Sequence, residues 1–292
     1  MEATKQYSVF GSHGFIGSEV CKNDNFVHNE PDAHNFHNRL TSAHPDIVYL
    51  ISTTHNYHIL DNDPYTDIGT NLSHLISVLQ ANRLKYGDKF SITFVSSWFV
   101  YGKVSKLPVD ETAICDPKGF YSITKRTAEQ LLASYCDTWG IDYKIIRLSN
   151  VLGLDDKKVS ARKNALQYMI RELVIGNSVQ VYEGSNRRDF IHVSDAAEAI
   201  RRVARYGRRG EIYNAGSGHP NDIGEILASV ARKLDIEGKI TTCPTPKFHS
   251  QVQVKDFWMD NSKIKFELGW KPVRIIEDII DEIVEGYSDT EG

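Results

Sequence analysis

Tyr7-Ser8-Val9-Phe10-Gly11-Ser12-His13-Gly14-Phe15-Ile16-Gly17 is the stretch on which the reading of the fold turns. Its first four residues form a short apolar strand candidate, which runs straight into glycines at 11, 14 and 17. Glycines at this spacing permit a tight turn, let the backbone approach a pyrophosphate, and let the next helix pack closely on the strand. That helix, opening at Phe15 and Ile16, would aim its first amides at an anion. A dinucleotide loop formed by Gly11, Gly14, Phe15, Ile16 and Gly17 is therefore the functional reading, and a plain glycine turn is the alternative. The helix stops near Lys22, because Asn23-Asp24-Asn25 is rich in turn formers, so a turn or two stands where a full crossover helix is usual. Asn25 to His28 reads as a brief second strand. Glu30 follows it, where a carboxylate would accept hydrogen bonds from an adenosine ribose, about 20 residues after the loop; an exposed loop glutamate is the alternative. The histidines between His28 and His44 match no metal template and read as polar loop.

Working outward, Ile47-Val48-Tyr49-Leu50-Ile51 is a continuous apolar run, as in a strand buried on both faces of a parallel sheet. Ser52 and Thr53 follow at its carboxyl end, where open α/β sheets bind ligands. A helix is expected from Thr66 to Arg83, carrying Asn71, and a strand from Phe90 to Val95 that ends in Ser96-Ser97-Trp98-Phe99-Val100-Tyr101-Gly102. Ile123, Ala128, Leu131, Leu132 and Tyr135 then recur at helical spacing, with neither Gly nor Pro from Tyr121 to Trp139. On that helix Tyr121 and Lys125 share a face. A phenol titrating near pH 10 is a poor acid or base at neutrality, but an adjacent cation favours its ionised form, so the pair is a candidate proton-transfer device. An incidental Tyr and Lys on an amphipathic helix is the competing reading. Tyr143 to Leu148 gives another strand, ending in Ser149-Asn150. The alternation predicts an α/β fold with a doubly wound parallel sheet, residues 1–150 forming mainly the dinucleotide-binding part. Residues 151–292 supply mainly a smaller lobe, with helices over Leu166 to Ile175, Asp195 to Ala204 and Ile223 to Leu234, and some later segments expected to rejoin the sheet.

Composition narrows the function class. Hydrophobic content of 41% and charged content of 25% are ordinary for a soluble globular chain, and a net charge of −4 gives no reason to expect nucleic acid. Arg187-Arg188 and Arg208-Arg209 read as solvated surface or anion sites, and Arg201-Arg202 as solvated helix surface. Cys21, Cys115, Cys136 and Cys243 form no CxxC pair, which argues against a metal knuckle or a disulfide framework. No metal is expected. The absence of a long apolar run and of a signal-like start leads to the expectation of a reducing cytoplasm and no membrane segment.

GSHGFIG, SSWFVYG, YSITK, RLSNVLG and RRDFIHV, in that order and followed by LGWKP at Leu268 to Pro272, resemble the extended short-chain dehydrogenase/reductase family, the nucleotide-sugar epimerases and dehydratases. The resemblance runs from about Tyr7 to Pro272. It implies a Rossmann-type fold with a smaller substrate-binding lobe, an NAD cofactor with NADP as the other choice, a nucleoside diphosphate sugar as substrate, and a homodimer. It further implies that Ser97 hydrogen-bonds the reacting sugar oxygen, that Tyr121 is the acid/base, and that Lys125 lowers the tyrosine's pKa and holds the nicotinamide ribose. Asn71 is similar to an asparagine that contacts the cofactor, Asn150 to one that faces substrate, and Arg188 to an arginine that clasps the diphosphate. Ser52 and Thr53 would line the cofactor side, and Trp98 the substrate side. This chain has Trp98 and Phe99 where dehydratases of the family carry an acidic pair, and neither aromatic can move a proton to a leaving hydroxyl. The implied reaction is therefore C4 epimerisation through a transient 4-keto sugar. The same residues would also suit a ketosugar reductase or sugar dehydrogenase, and a non-catalytic dinucleotide sensor is the alternative from another class.

Overall fold

A computed structural model of the chain describes residues 5–29, 40–52, 65–156, 159–160, 163–184, 186–245 and 254–291. Glu30 and Thr53, expected at the cofactor, lie outside the described residues.

The apolar runs form six parallel strands. These are β1 (Tyr7–Phe10), β2 (Phe26–His28), β3 (Asp46–Tyr49), β4 (Ser91–Ser97), β5 (Asp142–Leu148) and β10 (Ile212–Ala215), in the order β2-β1-β3-β4-β5-β10. Side chains alternate across each strand and so feed two cores. On one face Val9, Val48, Val95, Ile146 and Leu148 pack with Ala196, Ile200 and Val203 of the helix Val193–Tyr206 and with Trp270. On the other, Phe10, Ile47, Tyr49, Ile92, Phe94 and Ile145 meet Leu75, Val78 and Leu79 of one helix and Ala128, Leu132 and Cys136 of another. With both faces covered, the strands read as unbroken apolar runs in the sequence. Helices on both faces of a parallel sheet make the Rossmann-type doubly wound architecture, and the strand order reverses at β1.

The first crossover is short. Helix α1 (Phe15–Val20) has six residues and β2 three. The helix expected over Thr66 to Arg83 is instead three pieces, α2 (Tyr65–Ile68), a π segment (Gly69–Ser73) and α3 (His74–Tyr86). The His74 amide donates to the Gly69 carbonyl, five residues back, which defines the π turn. Helix α4 (Phe120–Trp139) ends at Gly140 in the left-handed region, φ 71°.

Beyond β5 come β6 (Asn150–Leu152), α5 (Ala165–Val174), β7 (Val179–Tyr182), β8 (Arg187–Arg188), β9 (Phe190–His192) and α6 (Val193–Tyr206). After β10 follow β11 (Asn221–Asp222), α7 (Ile223–Lys233), β12 (Ile240–Cys243), α8 (Ser262–Leu268) and α9 (Ile276–Glu291). Leu152, Leu166, Ile170, Phe190, Leu227, Ile279 and Ile283 form the smaller lobe's core. Helix α6 and β10 return to the main sheet, β10 pairing with β5 from Ile212↔Ile145 to Ala215↔Leu148.

Arg201 is not the solvated residue expected, its side chain being 13% exposed, whereas Arg202 stays partly solvated at 38%. Arg201 donates to the Glu19 and Val20 carbonyls at 3.0 and 3.3 Å, and Arg202 donates to the Leu268 carbonyl at 2.9 Å. They serve carbonyls at helix ends, where the last turn leaves acceptor capacity to spare. Among the described residues no helix is long and apolar enough to cross a membrane, and the four cysteines are unbridged.

Candidate active site

Register gathers the site at one edge of the sheet. Phe10 pairs with Tyr49, Tyr49 with Phe94, and Ser97 with Leu148, so the segments after β1, β3, β4 and β5 all emerge at the carboxyl ends of the strands. Ligands of doubly wound folds bind at this edge, beside the point where strand order reverses.

In the glycine loop, Gly11 sits at φ +87° against the backbone of Leu50 and Ile51, so an added Cβ would lie 3.2 Å from the Leu50 carbonyl carbon. Gly17 is demanded by packing, since a Cβ there would stand 2.1 Å from the Gly11 oxygen. Gly14 differs. Its φ is an ordinary −78°, and among the described residues an added Cβ would meet only the Gly11 oxygen, at 3.3 Å. The protein's own packing thus makes a weaker demand for glycine at 14 than at 17, and an approaching ligand would supply a stronger one. Phe15 lies against Gly153, and Ile16 packs on the core around α6. His13 of this loop stacks on His28 at the end of β2, with ring centroids 5.0 Å apart.

Tyr121 lies one residue inside α4 and is held from three sides. Ser52 Oγ donates to the phenol oxygen at 3.5 Å, the Ser97 hydroxyl also interacts with it, and the Phe99 ring meets the tyrosine edge-on at 6.2 Å. Ser97 starts the short 3₁₀ turn Trp98–Tyr101, and its Oγ accepts the Phe99 amide at 3.4 Å. Asn71, in the π segment, donates to Thr124 Oγ1 at 3.0 Å, which ties that segment to α4 between Tyr121 and Lys125. The Lys125 Nζ donates to the Val95 carbonyl at 2.9 Å and lies 4.5 Å from the centre of the Phe94 ring.

Electrostatics depart from the sequence expectation. The Tyr121 pKa is raised rather than lowered: burial dominates and the Asp67 carboxylate adds to it, while the Ser52 and Ser97 hydroxyls pull the other way. Lys125 does not supply the expected lowering, because its ammonium is directed at β4. Burial pushes the Lys125 pKa down to about 7, and Glu129 partly opposes that. An ammonium has three donors, and among the described residues Val95 supplies the one hydrogen-bond acceptor. A buried donor with valence to spare, beside a glycine cradle at the switch point, fits a dinucleotide such as NAD. Gly11, Gly14 and Gly17 would hold its pyrophosphate, and Lys125 and Asn71 would face its nicotinamide half.

Trp98, Asn150 and Arg188 come together on the other side. Trp98 is buried, stacks on Phe99 at 4.0 Å, meets the tilted Phe257 ring at 4.5 Å, and donates Nε1 to Asn150 Oδ1 at 3.2 Å. Asn150 Nδ2 donates to the Asp189 carbonyl at 2.9 Å, so both ends of its amide have protein partners. The Arg188 guanidinium lies 5.7 Å from the Trp98 ring centre and donates to the carbonyls of Arg187, Lys255 and Val254. Of the two adjacent aromatics, Trp98 is the one in the core and Phe99 the half-buried one beside the phenol.

Three residues near the site, Asp67, Glu129 and Arg147, are absent from the set expected on sequence grounds. Asp67 carries no usable signal there. Arg147 does, since a charged residue inside a strand buried on both faces requires a buried partner. Glu129, one turn beyond Lys125 on the same helix face, is the candidate to supply it.

The family model for the NAD dependent epimerase/dehydratase family matches residues 27–216, more than half of the chain. A dTDP-glucose 4,6-dehydratase of Xanthomonas campestris is 27% identical over 266 residues, covering 85% of this chain and 74% of that protein. A GDP-6-deoxy-D-mannose reductase of Pseudomonas aeruginosa is 26% identical over 230 residues, covering 77% and 74%. Among solved structures, the UDP-glucose 4-epimerase of Thermotoga maritima with UDP-glucose superposes with a TM-score of 0.84 at 21% identity, covering 98% of this chain and 100% of that one. That similarity is one of fold. With the sequence match reaching from β2 to the end of β10, the chain belongs to the NAD dependent epimerase/dehydratase family and is an enzyme.

Proposed function

We propose that the enzyme is a nucleoside-diphosphate-sugar epimerase that inverts C4 through a transient 4-keto sugar. The observation that carries this reading is the pair of side chains beside Ser97. Trp98 is buried and Phe99 faces the Tyr121 ring, so neither neighbour of the hydroxyl can deliver a proton to a departing C6 hydroxyl. When bound, NAD supplies the acceptor and the later donor of the C4 hydride. Tyr121 acts from its phenolate form: the ring oxygen takes the C4 hydroxyl proton and, as phenol, returns it after the sugar has presented its other face, so with its pKa raised the first step quickens as pH rises. Ser97 hydrogen-bonds the same sugar oxygen and so fixes it within reach of the phenol. Lys125 and Asn71 hold the nicotinamide half, and Phe99 excludes water from the intermediate. Arg188, beside Trp98, grips the diphosphate, for which a planar guanidinium is suited. Residues 151–292 mainly furnish this nucleotide-sugar side.

A ketosugar reductase is the second reading, favoured by the raised pKa of Tyr121, since a phenol held protonated is a ready acid for a carbonyl oxygen. Stoichiometry separates the two. Purified enzyme should interconvert C4 epimers with catalytic or tightly retained nicotinamide and no net absorbance change. Consumption of one reduced nicotinamide per sugar would replace the epimerase reading with the reductase.

A further inference from the structure

Tyr121, Lys125 and Glu129 stand four residues apart on α4, so a phenol, an ammonium and a carboxylate follow one another along one face. A lysine and a glutamate at this spacing can form an ion pair, and a buried setting strengthens the attraction between any two uncompensated charges. They are not paired here, because Glu129 is taken. Arg147 of β5 donates Nε to Oε1 at 3.0 Å and a terminal nitrogen to Oε2 at 2.7 Å, and Arg126 also donates to Oε2 at 2.7 Å. The Arg147 and Glu129 side chains are each 1% exposed. Arg147 is itself fixed, with its guanidinium 4.6 Å from the centre of the Tyr101 ring, while the Tyr101 hydroxyl donates to Asn214 Oδ1 at 2.6 Å. Among the described residues Lys125 is left with the Val95 carbonyl and the Phe94 ring, its remaining donors unspent at the carboxyl end of β4.

We infer that Arg147 is a positioning residue for this site: by occupying both oxygens of Glu129 it keeps the Lys125 ammonium out of an ion pair with Glu129 and available to the cofactor. The last clause rests on the proposed role of Lys125, whereas the first does not. The charged and titratable groups around Lys125 are Tyr121, Arg126 and Glu129 on its own helix, Arg147 from β5 and Tyr101 from the turn after β4, with Asp67 of α2 acting on Tyr121. Removing the Arg147 charge frees Glu129 Oε1 while Arg126 still donates to Oε2, so Lys125, four residues back on the same face, is the cation left to turn to Oε1.

The test is the ionisation of Lys125, read through stability. Urea unfolding from about pH 6 to about pH 10 would be compared with and without Lys125→Met in three backgrounds: wild type, Arg147→Met, and Arg147→Met with Glu129→Gln. In wild type the difference curve should bend near pH 7. In Arg147→Met the bend should move to a pH at least tenfold more alkaline in proton activity, as Glu129 turns to the lysine, and the double variant should bring it back. A bend that stays put in Arg147→Met would overturn the inference. If that variant does not fold, Arg147→Lys, which keeps the charge and loses the fork, should give a smaller displacement of the same sign, and no displacement would be equally fatal. NAD titrations on the same proteins should show about a tenfold loss in Arg147→Met and recovery in the double variant, a factor of ten being about 1.4 kcal/mol. An alkaline displacement with unchanged NAD affinity would uphold the positioning of Lys125 and remove its assignment to the cofactor.

Discussion

Lys125 is a buried ionisable group and Tyr121 a half-buried one, and each carries a cost that function would explain. For Tyr121→Phe, loss of one hydroxyl from a packed ring should leave fold and NAD affinity nearly unchanged, while turnover falls about 10²–10⁴-fold, the usual worth of general acid/base catalysis. Steady-state kinetics beside an NAD titration checks both halves, and turnover within about tenfold of wild type would remove Tyr121 from the reaction. For Lys125 the sign follows from linkage. Its folded-state pKa, about 7, lies below the unfolded value of 10.5, so between those limits the unfolded chain binds more protons and stability rises with pH. Lys125→Met should therefore stabilise the protein by a few kcal/mol below about pH 7, with the gain fading toward about pH 10, because a tenfold difference in proton affinity between the folded and unfolded states is worth about 1.4 kcal/mol. Urea midpoints at the two ends of the range decide it, and a variant less stable than wild type at low pH would contradict the burial argument. The Tyr-Lys spacing was legible in the sequence. The direction of the phenol's pKa was not, because it is set first by tertiary burial of the ring and by Asp67, while Nζ is drawn away to the Val95 carbonyl.

At the scale of elements, the glycine loop separates two kinds of glycine. Gly17→Ala drives a methyl to 2.1 Å from the Gly11 oxygen, so the α1–β1 contact must open, at a cost of about 1–3 kcal/mol or more, and NAD binding should fall with it. Gly14→Ala should fold with little loss and yet bind NAD at least about tenfold more weakly, or about 1.4 kcal/mol, because there the methyl meets the ligand. Calorimetric stability and NAD titration on both variants check the contrast, and equal stability losses would contradict it. Loop, strands and α4 were readable because glycine spacing and hydrophobic period are local properties. The π segment was not: Gly69 to Ser73 lies inside a pattern that passes for ordinary helix, and its extra residue is held by contacts such as Asn71 to Thr124 of α4. The Arg201 misreading has the same origin, since the carbonyls it serves belong to α1, distant in sequence.

Across the whole molecule, the second half was the less legible because its strands are two to four residues long and pair across large sequence gaps, as β7 does with β12 and β8 with β11. Asp189 shows how such a region is held. Its buried carboxylate accepts the amides of Ser217, Gly218 and Met259, while its carbonyl accepts Asn150, so the loops around Arg188 converge on one residue. Arg188→Met, which keeps bulk and removes charge, should weaken nucleotide-sugar binding by roughly 1.5–3 kcal/mol and leave NAD affinity unchanged; calorimetric titration with each ligand checks it, and the reverse pattern would move Arg188 out of the substrate site. The claim on which the rest depends is that the enzyme inverts C4 and leaves C5 and C6 untouched. NMR of nucleotide hexoses incubated with the enzyme in deuterated water tests it directly. The expected result is a C4-inverted product with protium at C5, oxygen at C6 and no net change of nicotinamide. Deuterium at C5 together with loss of the C6 oxygen would contradict it, and would require an acid and a base from elsewhere in the chain, since Trp98 and Phe99 can be neither.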